Sequence, residues 1–114
     1  MDNRVLRPGV VVVTAPTTLF GETDKANELT TLLTACRQAR QSVIIDCQRL
    51  ETTNLEARGL IVQLTEQFAH DGLALILVGL TKRQQQAFAV NRLTESLRLA
   101  DELGAADRQL AEQP

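Results

Sequence analysis

The stretch VIIDCQRLETTNLEARGLIVQL, residues 43–64, joins two elements with different hydrophobic periods. It opens with Val43-Ile44-Ile45, a continuous apolar run that ends at Asp46 and is typical of a central strand buried on both faces. After the turn, apolar residues recur at steps of three and four, which predicts an amphipathic helix. The buried stripe of this helix is formed by Ala57, Leu60, Ile61, Leu64 and Phe68. Asn54 can cap the helix, and Asp71-Gly72 ends it. The residues between Asp46 and Asn54 therefore form a strand-to-helix turn.

The rest of the chain continues this alternation of strand and helix. A hairpin across Pro8-Gly9 is predicted to pair Val5-Leu6 with the strand 10–13, and residues 15–22 form a loop. A helix is predicted over 24–39 after the cap Thr23, and a strand is predicted from Leu73 to Val78. The next helix runs from the cap Thr81 to about Val90, and an edge strand contains Leu97 and Leu99. The last predicted helix, over about 101–111, buries Leu103, Ala106 and Leu110. This order predicts an α/β fold, a small sandwich in which a mixed sheet of about four or five strands packs with about four helices. The whole chain, 1–114, is expected to form a single domain.

Composition argues against a nucleic acid partner and against direct insertion into a membrane. The chain has 14 acidic and 12 basic residues, and its only aromatic residues are Phe20, Phe68 and Phe88. It therefore has neither a broad basic field nor a stacking platform for bases. The start MDNRVLRPG lacks the apolar segment of a signal peptide, and no apolar run approaches the roughly 18 residues of a membrane span. A cytoplasmic protein without direct membrane insertion is expected.

The residue types that carry metal and thiol chemistry are few. Cys36 lies on a helical apolar stripe and Cys47 directly follows a predicted strand, so both are expected to be reduced packing residues. His70 closes a helix without Cys or His partners at ligand spacing, which favours a surface residue over a metal ligand.

Enzyme signatures are absent from the sequence. It contains neither a phosphate-binding glycine loop nor a nucleophile elbow. Asp46, Glu51 and Glu56 lie near one strand end, and paired carboxylates can perform acid–base chemistry, but acids at such places are more often caps or solvated charges. We therefore expect no enzyme activity, no cofactor and no metal.

Two polar segments follow the predicted strand from Leu73 to Val78. Lys82-Arg83 begins a helix, where positive charge is unfavourable, so this pair marks either a contact surface or, as we favour, a solvated turn. Gln84-Gln85-Gln86 is interpreted as a polar helix face.

The element order and residues 43–64 together resemble the STAS family, which includes the bacterial anti-sigma factor antagonists. Members of that family have a strand ending in Asp, followed by Asp-Ser-Ser-Gly-Leu-Gly at the start of a helix. Asp46 matches the aspartate that ends the strand, and GLALILVGL from Gly72 resembles the next turn and strand. The motif itself is aligned with Asn54 in place of Asp, Leu55 and Glu56 in place of the two serines, Ala57 and Arg58 in place of Gly and Leu, and Gly59 at the second glycine.

The departure at Glu56 matters most for function. In the family, the second serine is phosphorylated by a partner kinase that is also the anti-sigma factor, and phosphorylation releases the partner. Glu56 has no hydroxyl, and it carries a charge of about −1 where phosphoserine carries roughly −1.5 to −2. A functional interpretation is that Glu56 fixes the surface in a phospho-like state, or that the chain binds a different partner and needs no switch. The simpler interpretation is that an acid was selected because it suits a helix N-terminus. Thr52 and Thr53 have hydroxyls, but the simpler interpretation is that they are ordinary loop residues.

The resemblance implies a non-enzymatic protein-interaction module that binds a regulatory protein such as an anti-sigma factor kinase. The predicted partner-binding residues are Thr52, Thr53, Asn54, Leu55, Glu56 and Arg58, with Glu56 at the phosphosite-equivalent position. Leu55 lies off the buried stripe of its helix and would be an exposed apolar anchor. The alternative function is a STAS subunit of a membrane lipid-transport ATPase complex. A ligand-sensing STAS domain is a third possibility, for which the chain shows neither the aromatic residues nor the arginine cluster of a pocket.

Overall fold

The computed structural model describes residues 3–15, 23–50, 55–89, 98–100 and 102–111. The elements in chain order are β1 (Asn3–Arg7), β2 (Val10–Thr14), α1 (Thr23–Gln38), β3 (Ser42–Asp46), α2 (Leu55–His70), β4 (Leu75–Val78), α3 (Lys82–Ala89), β5 (Arg98–Ala100) and α4 (Leu103–Ala111). The predicted α/β order is confirmed. The predicted boundaries shift slightly, since β4 begins at Leu75 rather than Leu73, and Leu97 and Val90 lie outside the described residues.

The described strands form one five-stranded sheet in the order β1-β2-β3-β4-β5. The β1–β2 hairpin is antiparallel, and β2, β3, β4 and β5 are mutually parallel. In the parallel part, Val12 pairs with Ile44, which in turn pairs with Ile76. Because the parallel strands run in one direction, the connections that follow β3 and β4 leave the sheet at the same edge.

Two hydrophobic layers cover the two faces of the sheet. Side chains alternate along each strand, so Ile45 faces one layer and its neighbour Ile44 faces the other. The first layer contains the buried residues of α1 and α2: Leu29, Leu33, Cys36, Ile61, Leu64 and Phe68. The second layer contains Ala106 and Leu110 of α4. Helices on both faces bury the central strands completely, which explains their continuous apolar runs.

The helices α1 and α2 end in the same backbone motif. At the end of α2, the Leu73 N–H donates to the Phe68 carbonyl at 2.8 Å and the Gly72 N–H donates to the Ala69 carbonyl at 3.0 Å. Gly72 has φ +75°, as the left-handed residue of such a motif requires. At the end of α1, the left-handed position is occupied by Arg40, with φ 59°. The predicted stop at Asp71-Gly72 is confirmed.

Polar side-chain contacts join neighbouring elements at the surface. The Nε of Arg37 in α1 donates to Oδ2 of Asp71 at 2.9 Å, and its Nη1 donates to Oε1 of Gln67 at 2.9 Å. The Nε of Arg7 in β1 donates to Oδ1 of Asp107 in α4, also at 2.9 Å. His70 is exposed, as predicted. In the described ranges, no helix is both long enough and apolar enough to cross a membrane.

Candidate functional site

Two connections lie together at the carboxyl edge of the sheet, which is the side where the parallel strands end: one leads from β3 to α2 and the other from β4 to α3. Asp46 ends β3, and its Oδ1 accepts a hydrogen bond from the Gln48 N–H at 3.0 Å, which turns the chain away from the strand. The Asp46 carbonyl accepts from the Ala15 N–H at 2.9 Å, and the Cys47 N–H donates to the Val78 carbonyl at 2.8 Å. Asp46 therefore has a structural role at the start of the turn.

A close contact at Gly79 packs the two connections against each other. Gly79 follows β4 with φ +79°, a backbone conformation that favours glycine. A Cβ at this position would lie 2.6 Å from the Cγ of Gln48 and 3.1 Å from its backbone nitrogen. Only glycine leaves enough room for this approach, so the turn after β3 rests directly on the turn after β4.

Gln84 adds a hydrogen-bonded link between the same two connections. The Gln84 N–H donates to Oγ1 of Thr81 at 3.1 Å, and the Thr81 N–H donates to Oε1 of Gln84 at 2.9 Å, which is a reciprocal capping box at the start of α3. The side-chain amide nitrogen of Gln84, Nε2, donates to the Leu50 carbonyl at 2.8 Å. The expected cap at Thr81 is confirmed.

The prediction of a polar helix face at Gln84-Gln85-Gln86 is wrong at its first residue. Gln84 is only 9% exposed, because its side chain is turned inward to serve the cap and the Leu50 carbonyl. Gln85 is half-buried and donates from Nε2 to the Leu80 carbonyl at 3.2 Å, whereas Gln86 is exposed as expected. The spacing Thr-x-x-Gln is the signal in the sequence that identifies Gln84.

Three of the six predicted partner-binding residues lie in the first turn of α2. Leu55 and Glu56 are the first two residues of α2, and Arg58 lies in its first turn with a half-buried side chain. Thr52, Thr53 and Asn54 lie outside the described residues, as does Glu51 of the carboxylate group. The structure therefore places Leu55, Glu56 and Arg58 together on one helical turn, and the prediction that all six residues bind a partner stays a prediction.

The thiols near the site are unsuited to nucleophilic chemistry. Burial and, as the smaller cause, the neighbouring Asp46 carboxylate together raise the pKa of Cys47 to about 12. The Cys47 Sγ donates to the Ile45 carbonyl at 3.6 Å. Burial also raises the pKa of the Cys36 thiol. Both cysteines are buried and free, which confirms their predicted packing role. A group of three or more His, Cys, Asp or Glu side chains placed to hold a metal ion does not occur among the residues described.

The chain matches a family model and several solved structures. The STAS domain model matches residues 3–106. A serine-to-glutamate variant of RsbS from Moorella thermoacetica is 16% identical with a TM-score of 0.77, covering 97% of this chain and 96% of that one. An anti-sigma-factor antagonist (STAS) domain protein from Planctomyces limnophilus is 18% identical with a TM-score of 0.76, covering 98% of this chain and 100% of that one.

A third similar structure is SpoIIAA, the Bacillus cell fate determinant, in its phosphorylated form. It is 18% identical with a TM-score of 0.69, and the match covers 95% of this chain and 97% of that one. No curated protein is a significant match. At these identities the solved structures establish a common fold, and the family model covers most of the chain. The chain belongs to the STAS domain family.

Proposed function

We propose that this chain is a non-enzymatic module of the anti-sigma factor antagonist type, which binds a regulatory partner protein such as an anti-sigma factor kinase. The proposed contact residues are Thr52, Thr53, Asn54, Leu55, Glu56 and Arg58. One observation carries the proposal. The helix α2 begins at Leu55, so Glu56 occupies the first helical turn at the carboxyl edge of the sheet. The resemblance to the antagonists assigns the phosphorylated serine to this position.

The first helical turn favours a permanent negative charge at position 56. The N–H groups of a first turn have no partners within the helix, and an anion beside them gains about 0.3–1 kcal/mol. A glutamate supplies about one negative charge without any hydroxyl to phosphorylate. We infer that a kinase cannot switch this surface through residue 56, and that the partner meets a fixed charge there.

Helical periodicity is the basis for proposing that the start of α2 is accessible to a partner. The buried residues of α2 include Ile61, Leu64 and Phe68. Position 55 lies one helical turn before Gly59, which is exposed, and position 56 lies one turn before the partly buried Leu60 and two turns before the exposed Gln63. We infer that position 55 lies off the buried stripe and position 56 at its border, where a partner protein can approach the two.

Affinity purification from the native cell tests the proposal. The wild-type chain is compared with Leu55→Asp, Glu56→Ser and Arg58→Glu, and Gln63→Ala serves as a control on the exposed face of the same helix. We expect a regulatory protein to be retained by the wild type and by Gln63→Ala. Calorimetry with that purified partner should then show binding weaker by about tenfold or more for Leu55→Asp. Mass spectrometry of the recovered chain reports whether Thr52 or Thr53 carries phosphate.

Two outcomes would contradict the proposal. Equal retention of the partner by all three variants would show that the N-terminal turn of α2 is not the contact surface. Recovery of a transporter ATPase in place of a signalling protein would favour the alternative function, a subunit of a membrane lipid-transport complex.

A further inference from the structure

Three exposed cationic side chains lie on the two connections at the carboxyl edge of the sheet. Arg49 belongs to the connection after β3, and Lys82 and Arg83 begin α3. All three residues are exposed, and we refer to them as the basic corner. Arg49 lies more than thirty positions before the Lys82-Arg83 pair, so an interpretation of that pair from its own stretch of sequence does not include Arg49.

The contacts of the flanking residues bring Arg49 to the start of α3. On one side of Arg49, the Cγ of Gln48 lies so close to Gly79 that a Cβ there would come within 2.6 Å of it. On the other side, the Leu50 carbonyl accepts the 2.8 Å hydrogen bond from Gln84. Because both neighbours of Arg49 contact the segment 79–84, the backbone of Arg49 is held close to the start of α3.

The charges of the basic corner are not neutralised within the described part of the chain. The ion pairs there join Arg7 to Asp107, Arg37 to Asp71, and Arg108 to Glu102. The described carboxylate nearest to Arg49 along the chain is Asp46, and none of these ion pairs joins the two. Lys82 and Arg83 also lie at a helix N-terminus, where positive charge is unfavourable, so an external negative group would relieve both effects.

We propose that the basic corner is a second contact of the partner surface, and that it binds an acidic segment of the partner protein. This inference rests on the proposed function, because it places the corner next to the turn that leads to Glu56. The partner would meet a negative group at residue 56 and a positive group at the corner. Opposite charges at two places on one protein surface fix the orientation of a bound protein and accelerate its association.

A glutamate-rich peptide, titrated into the isotopically labelled full chain and followed by NMR, tests the inference without the partner. We expect amide shifts at Arg49 and at Lys82 and Arg83, and binding that weakens as salt rises to about 0.15 M. The double variant Lys82→Glu/Arg83→Glu should weaken peptide binding by about tenfold. The matched control is Arg4→Glu/Arg108→Glu, which reverses two exposed charges elsewhere and should leave peptide binding unchanged.

The outcomes of this experiment separate the two proposals. Absence of peptide shifts at the corner, or an equal loss of binding in the control variant, would overturn the inference. Stronger binding to phosphatidylserine vesicles than to the peptide would also overturn it, since a membrane surface would then be the better occupant. The peptide titration does not depend on Leu55 or Glu56, so failure of the partner assay with those variants counts against the proposed function alone.

Discussion

The side chain of Gln84 links the start of α3 to the carbonyl of Leu50, 34 residues earlier in the chain. Its Oε1 accepts from the Thr81 N–H and its Nε2 donates to the Leu50 carbonyl, so one amide serves a helix cap and also joins the connection after β3 to the start of α3. Leu50 is itself buried and belongs to the core layer of α1 and α2. Through this single side chain, the segment that leads to the candidate site is held by a neighbouring helix.

Replacing Gln84 should therefore destabilise the fold measurably. Gln84→Ala removes half of the capping box and leaves the buried Leu50 carbonyl without its donor, which costs about 1–3 kcal/mol in the free energy of unfolding. Urea denaturation followed by circular dichroism measures this cost. Gln86→Ala, an exposed position on the same helix, is the control and should change stability by less than about 0.5 kcal/mol. Equal midpoints for the two variants would show that the Leu50 contact contributes little.

Gly79→Ala should destabilise the protein although it adds only one methyl group. The residue has φ +79°, and the new Cβ would lie 2.6 Å from the Cγ of Gln48. The backbone conformation alone costs about 1 kcal/mol or more for alanine, and displacement of Gln48 adds to that cost. Gly59→Ala is the matched control, because its Cβ meets nothing within 4 Å on α2 and should stabilise the helix by up to about 1 kcal/mol. The two thermal midpoints should move in opposite directions.

Arg40→Gly should stabilise the protein, because Arg40 has φ 59° at the end of α1 where glycine is preferred. The Gln41 N–H donates to the Cys36 carbonyl at 2.9 Å and the Arg40 N–H donates to the Arg37 carbonyl at 3.0 Å, so the backbone motif is complete without the side chain. We expect a gain of about 0.5–1 kcal/mol in urea denaturation, with Arg40→Ala close to the wild type. If glycine and alanine behave alike at position 40, the left-handed conformation carries no cost.

Much of the fold could be predicted from the sequence, because local patterns determine it. Val43-Ile44-Ile45 and residues 75–78 are continuous apolar runs, and such runs belong to strands covered on both faces. Leu29, Leu33 and Cys36 recur at steps of four and three, a spacing that is typical of the buried side of a helix, and all three are buried in α1. These features need only neighbouring residues to be recognised.

The features that were missed depend on distant residues. The buried side chain of Gln84 donates to a carbonyl 34 positions away, and the connection that carries Arg49 is held near the start of α3 by the contact of Gln48 with Gly79. The hydrophobic periodicity of one segment does not predict such contacts between distant residues. Leu55 and Glu56 were correctly expected at the start of a helix, whereas Thr52, Thr53 and Asn54 lie outside the described residues and their roles stay predictions.

Cys47 should make the stability of the protein depend on alkaline pH. Its folded pKa is raised by burial, and then by Asp46, from the ordinary 9.0 to about 12. At a pH between these two values, unfolding therefore releases a proton from the thiol. This contribution to stability is fully present below pH about 9 and is lost as the pH rises towards about 12. Over that window the free energy of unfolding should fall by up to about 1.4 kcal/mol per pH unit. Denaturation at a series of alkaline pH values should show a shallower slope for Cys47→Ala than for the wild type. Parallel slopes would mean that the thiol ionises equally in the folded state.

Glu56→Gln separates the two explanations for the acid at position 56, because it keeps the shape of the side chain and removes its charge. If the acid serves the helix N-terminus, the variant should lose about 0.3–1 kcal/mol of stability, and the loss should shrink at high salt. If the acid serves the partner, binding measured by calorimetry should change while the stability of the free chain changes little. Glu66→Gln, in the later part of the same helix, controls for charge removal in general. We expect both effects at position 56, since a charge that favours the first turn also lies at the proposed contact, and a variant that matched the wild type in both measurements would leave the acid without a role in either.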